Sequence, residues 1–282
     1  MRQIVYTRRY LARTRTYLQY AFLFWNDVQR QHHVPIIIYQ MGKVGSSSID
    51  VSLKHSGVPA VFHVHRMNPA YMFTGKRQHN PRKTPLAPHE MLGQLLFTHV
   101  LQKQRPARII TLVREPISRN ISGFFQNVYR FTGDTPGTIS VSTDTLIEQF
   151  LTTYAHGTPA AWFEHEPKQT LGIDVYAYSF DKEQGYTTIQ HGPFDMLILQ
   201  SELEDAAKAA AIGDFLDIPN FTLKRQNVGS DKYYAEHYQR FKQQIQLPLT
   251  YLDTMCQSQY TRHFYSDAAI ERVYATWSRT SG

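Results

Sequence analysis

The chain has 282 residues, of which 42% are hydrophobic and 13% aromatic, enough to bury the core of one large α/β domain rather than of two small ones. Its single cysteine, Cys256, excludes an internal disulfide and a cysteine zinc site, and no apolar run approaches the roughly 20 residues that a membrane span needs. Most of the net charge of +7 lies in residues 1–30, which hold six arginines and one acidic residue, so we expect no nucleic acid among the partners of the main body.

Residues 1–34 are predicted to form a basic, aromatic helix that precedes a single domain over residues 35–282. Apolar side chains recur in it at helical spacing, among them Tyr17, Phe24 and Val28. Two interpretations stay open: the helix docks on the body of the protein, or it attaches to an anionic membrane surface or a partner. The segment lacks the pattern of a secretory signal, so we expect a cytoplasmic protein, or a peripheral one at the inner face of the membrane.

Beyond this segment, short apolar runs alternate with stretches of helical periodicity. The runs predict β-strands over residues 36–39, 61–64, 109–113 and 196–199. Helices are predicted over residues 46–56, 89–104, from 116 onwards, 144–154 and 202–216, with loops at 66–88 and 132–143 and further helices after 216. This alternation predicts an α/β fold with a mostly parallel sheet flanked by helices, and binding sites at the carboxyl ends of the strands.

The first predicted strand is followed by a turn that is suited to hold an anion. Gly42 and Gly45 let the backbone approach an anion closely, and Lys43 adds a positive charge. The next helix opens with serines 46–48, whose hydroxyl groups and unpaired amide groups are further donors. The lysine precedes the second glycine, so this is not a Walker A loop, in which the lysine follows it. Taken alone, the turn is also compatible with a plain connection between a strand and a helix.

A second turn of the same layout follows the third predicted strand. Arg114 lies just past the strand, and Ser122 lies eight residues on, about two helical turns further. The guanidinium group of an arginine and a hydroxyl group can both donate hydrogen bonds to one phosphate. Arg114 is equally compatible with an ion pair to Glu115, and Arg119 either adds to the anion site or is solvated. Two such turns in one sheet nevertheless suit a ligand with phosphates at both ends.

A metal-dependent kinase would need an acidic residue at the end of a later strand to hold magnesium. The strand at 196–199 runs into Gln200 instead. The histidine pairs lack a convincing third ligand, and neither His89-Glu90 nor His165-Glu166 continues into the HExxH zinc motif. We therefore expect that the protein requires no metal.

Together the two turns resemble those of sulfotransferases that use PAPS (3′-phosphoadenosine 5′-phosphosulfate). Residues 43–48 are similar to their 5′-phosphosulfate loop, and Arg114 with Ser122 to their 3′-phosphate motif. The chain is also similar, over roughly residues 35–275, to bacterial capsular polysaccharide synthesis proteins of the same superfamily. The stretches that carry this similarity are 40–49, 113–122, 172–176, 180–186 and 263–266. The resemblance implies a P-loop-like sulfotransferase fold.

The resemblance also implies a role for each matching residue. Lys43 would stabilise the charge that develops as sulfate leaves, and Arg114 and Ser122 would hold the 3′-phosphate. A third contact would come from the loop at 224–232, which resembles the closing loop of carbohydrate sulfotransferases. The residues so assigned to PAPS or its product PAP are Lys43, Val44, Gly45, Ser46, Ser47, Ser48, Arg114, Ser122, Gly229 and Lys232.

Sulfuryl transfer also needs a base that takes the proton of the acceptor hydroxyl, and histidine suits this near neutral pH. His63 and His65 lie at the end of the second predicted strand with their side chains on one face. The pair resembles that of uronyl 2-O-sulfotransferases, in which the second histidine is the base, and this implies His65 as base with His63 in support. Two partly buried structural histidines are the alternative, and Glu90, Glu164 and Glu166 are further candidates for the base.

The predicted function is transfer of a sulfuryl group from PAPS to a hydroxyl group of a carbohydrate or polysaccharide acceptor. The basic loop at 66–88 either recognises an acidic glycan or is a solvated surface loop. Trp162, Phe163, Tyr176 and Tyr178 either stack on sugar rings or fill the core. Two other hypotheses stay open: a kinase-like enzyme that uses ATP and magnesium, and a non-catalytic binding or capsule-assembly protein on the same fold.

Overall fold

A five-stranded sheet lies at the centre of the computed structural model, which describes residues 14–72, 87–224 and 232–278. The strands lie side by side in the order β2-β1-β3-β5-β4. β1 pairs in parallel with β2 and β3, and β3 with β5, whereas β4 runs antiparallel at one edge. The predicted α/β fold with a mostly parallel sheet is confirmed. The strands are β1 (Ile36–Tyr39), β2 (Val61–Val64), β3 (Ala107–Val113), β4 (Tyr186–His191) and β5 (Phe194–Gln200).

The register of the parallel strands determines where the site forms. Strands buried on both faces are continuous apolar runs, and all four residues of β1 are buried. Tyr39 pairs with Val64, and Val113 pairs with Gln200, so the carboxyl ends of β1, β2, β3 and β5 lie along one edge. The polar residues that follow these strands are therefore neighbours in space.

Helices connect the strands and flank the sheet. Before β3 lie α1 (residues 14–24, continued by a π-helix over Trp25–Arg30), α2 (Ser47–His55), α3 (Pro69–Met72) and α4 (Pro88–Leu96, continued by a π-helix over Phe97–Leu101). Between β3 and β4 lie α5 (Pro116–Gln126), α6 (Tyr129–Thr132), α7 (Thr143–Thr152), α8 (Thr158–His165), α9 (Pro167–Leu171) and a 3-10 helix over Val175–Ala177. After β5 come α10 (Asp205–Leu216), α11 (Ala235–Gln244), α12 (Leu249–Cys256), α13 (Gln259–Phe264) and α14 (Asp267–Trp277).

Two apolar cores stabilise this arrangement. The larger surrounds the sheet, where Ile37 and Ile110 are fully buried. The smaller lies among α5, α7 and α11, where the rings of Phe124, Phe150 and Phe241 are 5.5 to 6.0 Å apart between centroids. This second core fixes α5, the helix that opens just after Arg114.

The helix α1 packs on the body through one of its faces. Phe24 and Val28 are buried, and the ring of Phe24 lies 6.0 Å from that of Phe62 in β2 and 5.9 Å from that of His99. Across the ranges that the structure describes, no helix combines the length and apolar content needed to cross a bilayer.

Several observed elements differ from the predicted ones. β4 was not predicted because its sequence, Tyr-Thr-Thr-Ile-Gln-His, is mostly polar, as an edge strand with one solvent-facing side allows. The helix expected from residue 202 begins at Asp205, since residues 201–204 form the turn that leaves β5. The loop expected at 66–88 contains α3, and most of its basic residues lie at 73–86, outside the described residues.

Candidate functional site

Three residues of the turn after β1 have left-handed backbone conformations: Gly42 at φ +82°, Lys43 at +67° and Gly45 at +85°. A lysine rarely adopts this conformation, because its Cβ crowds the backbone. A Cβ atom placed on either glycine would meet no other atom within 4 Å. The glycines are therefore required for their φ angles, and the space in front of the turn is open. Together with the first amide groups of α2, which have no acceptor within the helix, the turn forms a cradle of donors.

The turn after β3 presents Arg114 beside this cradle. The Tyr260 hydroxyl accepts a hydrogen bond from the Arg114 N–H and donates one to the Arg114 carbonyl oxygen, both at 2.9 Å, and so fixes the backbone. The guanidinium Nη1 donates to the carbonyl oxygen of Lys43 at 2.9 Å and does not pair with Glu115. The Glu115 carboxylate instead caps α5 by accepting from its first amide groups. Arg114 therefore links the two turns.

Arg119 is neither solvated nor placed on the open side of the turn. It is buried, and its Nη2 and Nε donate to the carbonyl oxygens of Met41 at 3.2 Å and Gly42 at 3.3 Å. Its Nη1 donates to the Tyr154 hydroxyl at 3.2 Å. Burial lowers the pKa of the Arg119 guanidinium. Arg114 and Arg119 together donate hydrogen bonds to three successive carbonyl oxygens of the first turn. These contacts hold the first turn against the second.

The two turns face one cleft of about 780 Å³, which we call the loop cleft. It brings together most of the residues assigned to PAPS and both histidines of the predicted pair. None of the described residues that line it is a carboxylate. The lining residues are Gln40, Gly42, Lys43, Gly45, Ser46, Ser47, Ser48, His63, His65, Arg114, Ser122, Gln126, Lys232, Tyr233 and Tyr234.

Lys43 projects into the loop cleft among other cations. Its ammonium group donates to the Gln126 side-chain oxygen at 2.9 Å. Burial, followed by the neighbouring charges of Lys232, Arg114 and Arg119, lowers the pKa of Lys43 to about 8. Like charges at this proximity disfavour the charged form of each group, and an anion between them reverses the effect. The cleft is therefore suited to a ligand with several negative charges.

Gln40, the buried residue that follows β1, holds both histidines. Its side-chain Nε2 lies 3.0 Å from His63 Nε2 and 2.8 Å from His65 Nδ1. Its Oε1 accepts from the Gly42 N–H, and this contact orients the amide so that the NH₂ group faces both rings. His63 Nε2 also lies 2.9 Å from Ser46 Oγ. The first turn and the histidine pair therefore share one hydrogen-bond network.

The environment of His65 suits a proton acceptor. Its Nδ1 faces both the Gln40 NH₂ group, which is a donor, and the Gln40 carbonyl oxygen at 3.2 Å, which is an acceptor. In the tautomer that accepts from the NH₂ group Nε2 carries the proton, whereas in the tautomer that donates to the carbonyl oxygen Nε2 can accept one. Burial, with a contribution from His63, lowers the pKa of His65 to about 4. The ring is therefore uncharged at neutral pH. Burial also lowers the pKa of His63.

Glu166, one of the alternative bases, is fully buried and holds the chain that follows His65. Its Oε2 accepts hydrogen bonds from the Tyr39 hydroxyl and from the N–H groups of Met67 at 2.8 Å and Asn68 at 3.0 Å. Burial raises the pKa of this carboxyl. Glu166 thus supports the end of β2 and does not line the loop cleft.

The other two carboxylates considered as bases are also engaged elsewhere. Glu164 pairs with Lys168 at 2.9 Å, and Glu90 accepts from the Ala87 N–H at 2.7 Å. Neither lines the loop cleft.

The aromatic residues considered for sugar stacking belong to the sheet core. Trp162 and Phe163 are buried, and the Trp162 indole N–H donates to the His65 carbonyl oxygen at 3.3 Å. Tyr176 and Tyr178 pack against the same core while partly exposed.

A second cleft of about 590 Å³, the side cleft, adjoins the loop cleft and shares Gly45 and Arg114 with it. Glu115 and Glu202 line it, but their oxygens accept hydrogen bonds from the protein. Glu202 Oε1 accepts from the Glu115 N–H at 2.8 Å, and Oε2 accepts from the Tyr265 hydroxyl at 3.1 Å. The remaining lining residues are Val44, Ser118, Gln200, Ser201, Tyr265, Ala269, Arg272, Val273, Thr276 and Trp277.

Sequence reasoning found some of this site and missed the rest. It did not assign Gln40, Gln126 or the tyrosines at 233 and 234. Gln40 could have been found, because it is the first polar residue after a fully buried strand whose carboxyl end faces the site. Val44, assigned to PAPS, is fully buried beneath the side cleft, and Gly229 lies outside the described residues.

A comparison with protein families found one match. Residues 141–266, somewhat less than half of the chain, match a family described as "Putative capsular polysaccharide synthesis protein". The matched part runs from just before α7 to the start of α14 and contains neither of the two turns. Comparisons with curated proteins and with solved structures found no match. The similarity to capsular polysaccharide synthesis proteins is thus confirmed for residues 141–266.

Proposed function

We propose that this protein transfers a sulfuryl group from PAPS to a hydroxyl group of a carbohydrate. The observation that carries the proposal is the convergence of Lys43, Arg114 and Lys232 on a cleft whose described lining includes no carboxylate. Enzymes that use ATP hold magnesium with acidic side chains, and the metal neutralises part of the phosphate charge. Lysine and arginine side chains with no carboxylate beside them among the described residues of the cleft suit a nucleotide that binds without a metal ion.

The residues present fit such a nucleotide. The left-handed turn leaves open space in front of its amide groups, where a phosphosulfate can approach the backbone. Arg114 and Ser122 line the same cleft and offer a fork and a hydroxyl group to a second phosphate. The side cleft, which shares Gly45 and Arg114, provides room for the nucleoside.

Each polar residue has a chemical role in this proposal. Bound PAPS supplies a sulfuryl group attached to a phosphate oxygen. Lys43 stabilises the negative charge on that oxygen as its bond to sulfur breaks. In the tautomer that donates from Nδ1 to the Gln40 carbonyl oxygen, His65 accepts at Nε2 the proton of the acceptor hydroxyl while the acceptor oxygen bonds to sulfur. Gln40 positions the imidazole ring through Nδ1.

The acceptor proposed is a polysaccharide. The support is the family match over residues 141–266, a segment that supplies none of the phosphate-binding turns. It supplies Glu166, which holds the chain just after His65. The part of the chain related to capsular polysaccharide synthesis is thus connected to the histidine side of the cleft.

The test is a calorimetric titration with PAP, with ATP plus magnesium as the comparator. Arg114→Ala is the test variant, and Arg108→Ala is the matched control, since Arg108 lies at the other end of β3 in an exposed pair with Asp217. We expect PAP to bind without metal and Arg114→Ala to weaken it about 30-fold or more, the effect of losing roughly 2 kcal/mol from a charged hydrogen-bonded pair. Arg108→Ala should bind as the parent does.

Two results would contradict the proposal. Binding of ATP with magnesium but not of PAP would favour a kinase-like enzyme. Binding of neither nucleotide to a folded sample would favour a non-catalytic assembly protein.

A further inference from the structure

The helix α1 has a second apolar face besides the one that docks on the body. Leu18, Phe22 and Trp25 recur at spacings of four and three residues and so form one stripe. Their exposed fractions are 61%, 63% and 54%, whereas Phe24 on the docking face is 3% exposed. Large apolar side chains grouped in this way on a protein surface mark an interaction site.

The sequence that contains this stripe is rich in arginine. Arg15 is exposed and lines a shallow groove with Leu18 and Phe22. Residues 1–30 carry six arginines against the single acidic residue Asp27. The Asp27 carboxylate accepts hydrogen bonds from Asn26 and from the Ala60 N–H, so it is engaged within the protein.

This combination distinguishes between two possible occupants of the stripe. A second copy of the chain would bring one arginine-rich segment against another, and the like charges would oppose association. An anionic lipid surface attracts the arginines and offers an apolar layer for leucine, phenylalanine and tryptophan side chains.

We propose that Leu18, Phe22 and Trp25 insert into the surface of an anionic membrane, while Phe24 and Val28 hold α1 on the body. The helix then lies in the plane of the interface and does not cross it. Because both apolar faces belong to one helix, the membrane contact is rigidly linked to the sheet domain.

The test uses the full chain and sedimentation with vesicles of phosphatidylcholine alone, or of two parts phosphatidylcholine and one part phosphatidylglycerol. We expect binding to the anionic vesicles, weaker at high salt because screening reduces the attraction. Phe22→Ser should lower the partition coefficient about tenfold or more, since a phenylalanine no longer enters the apolar layer. The matched control is Leu249→Ser, because Leu249 is also 63% exposed but lies at the start of α12.

Tryptophan fluorescence gives a second readout at a known residue. Of the three tryptophans, Trp162 and Trp277 are buried and Trp25 is exposed. Anionic vesicles should shift the tryptophan emission of the parent protein to shorter wavelength. The emission maximum of Trp25→Phe should stay the same when these vesicles are added.

The proposal would be overturned by equal binding to both kinds of vesicle, or by an equal loss in Phe22→Ser and Leu249→Ser. It would also be overturned if the protein did not sediment with either kind of vesicle and formed a dimer that the Phe22→Ser substitution dissociates. That outcome would assign the stripe to a second copy.

Discussion

Raising the pH through the pKa of Lys43 should weaken nucleotide binding before it affects the fold. The pKa is lowered to about 8 by burial and then by Lys232, Arg114 and Arg119. With that value, about nine-tenths of the lysine is charged at pH 7 and about one-tenth at pH 9. If only the charged form binds the anion well, the affinity for PAP falls about tenfold over this interval.

The assay is calorimetry of PAP binding at a series of pH values between 6 and 10. The phosphates of the ligand titrate near pH 6, so they stay ionised over the decisive interval. Near pH 8, binding should take up a fraction of a proton, because the anion raises the pKa of Lys43. Repeating the titration in buffers of different ionisation enthalpy measures this uptake.

Lys43→Arg is the matched variant, because a guanidinium stays charged throughout the interval. The variant should bind PAP more weakly than the parent at pH 7, since a planar guanidinium does not match the geometry of an ammonium group. Its affinity for PAP should stay the same from pH 7 to pH 9. A flat profile for the parent protein, or the same decline in Lys43→Arg, would refute the assignment of the lysine as the titrating group.

Four other outcomes are expected. Arg119→Lys should weaken PAP binding about tenfold in calorimetry, because one ammonium group cannot donate to both carbonyl groups of the first turn. An unchanged affinity would show that Arg119 is not needed to hold the turn in its binding conformation. Gly45→Ala should lower the free energy of unfolding by about 1 kcal/mol, because the φ of +85° at this position is left-handed. Its loss of free energy of PAP binding should be larger, because the new methyl group occupies the open space in which the ligand would lie. Denaturant unfolding measures the first loss and calorimetry the second. His65→Asn should abolish sulfate transfer but keep PAP binding, and at saturating PAPS the parent should not lose activity through protonation of this base until the pH nears 4; full activity in the variant would reject this base. Glu166→Ala should lower the free energy of unfolding by about 3 kcal/mol or more, because it removes the acceptor of the buried Tyr39 hydroxyl, the buried Met67 N–H and the half-buried Asn68 N–H; a change under 1 kcal/mol in denaturant unfolding would contradict this.

The sequence predicted the parts of the fold that depend on local pattern. Ile36–Tyr39 and the glycines after it are adjacent in the chain, and their apolar run and turn residues indicate a strand followed by an anion-binding turn. The spacing of eight residues between Arg114, just past a strand, and Ser122, on the helix that follows, likewise indicates that the two lie on the same side. These inferences need only backbone periodicity and the conformational range of glycine.

The contacts that bring distant segments together were not predictable in this way. Glu166 reaches the backbone after His65 across about a hundred residues, and nothing near it in sequence indicates this. Arg119 was expected at the surface or at the anion, because an arginine on a helix is usually exposed. Its burial depends on the tertiary packing of α5 against the first turn, which a single sequence does not reveal.

The contacts of Arg114 and Arg119 with the carbonyl groups of residues 41–43 are made entirely by protein groups. The cradle is therefore preorganised, and a nucleotide that enters it pays little conformational entropy for ordering the turns. Arg114 and Arg119, which make these contacts, are also distinct from His65. If the proposed function holds, a descendant of this chain that lost the histidine would keep the two arginine contacts that order the cradle, so binding of PAP by a relative would not prove that the relative transfers sulfate.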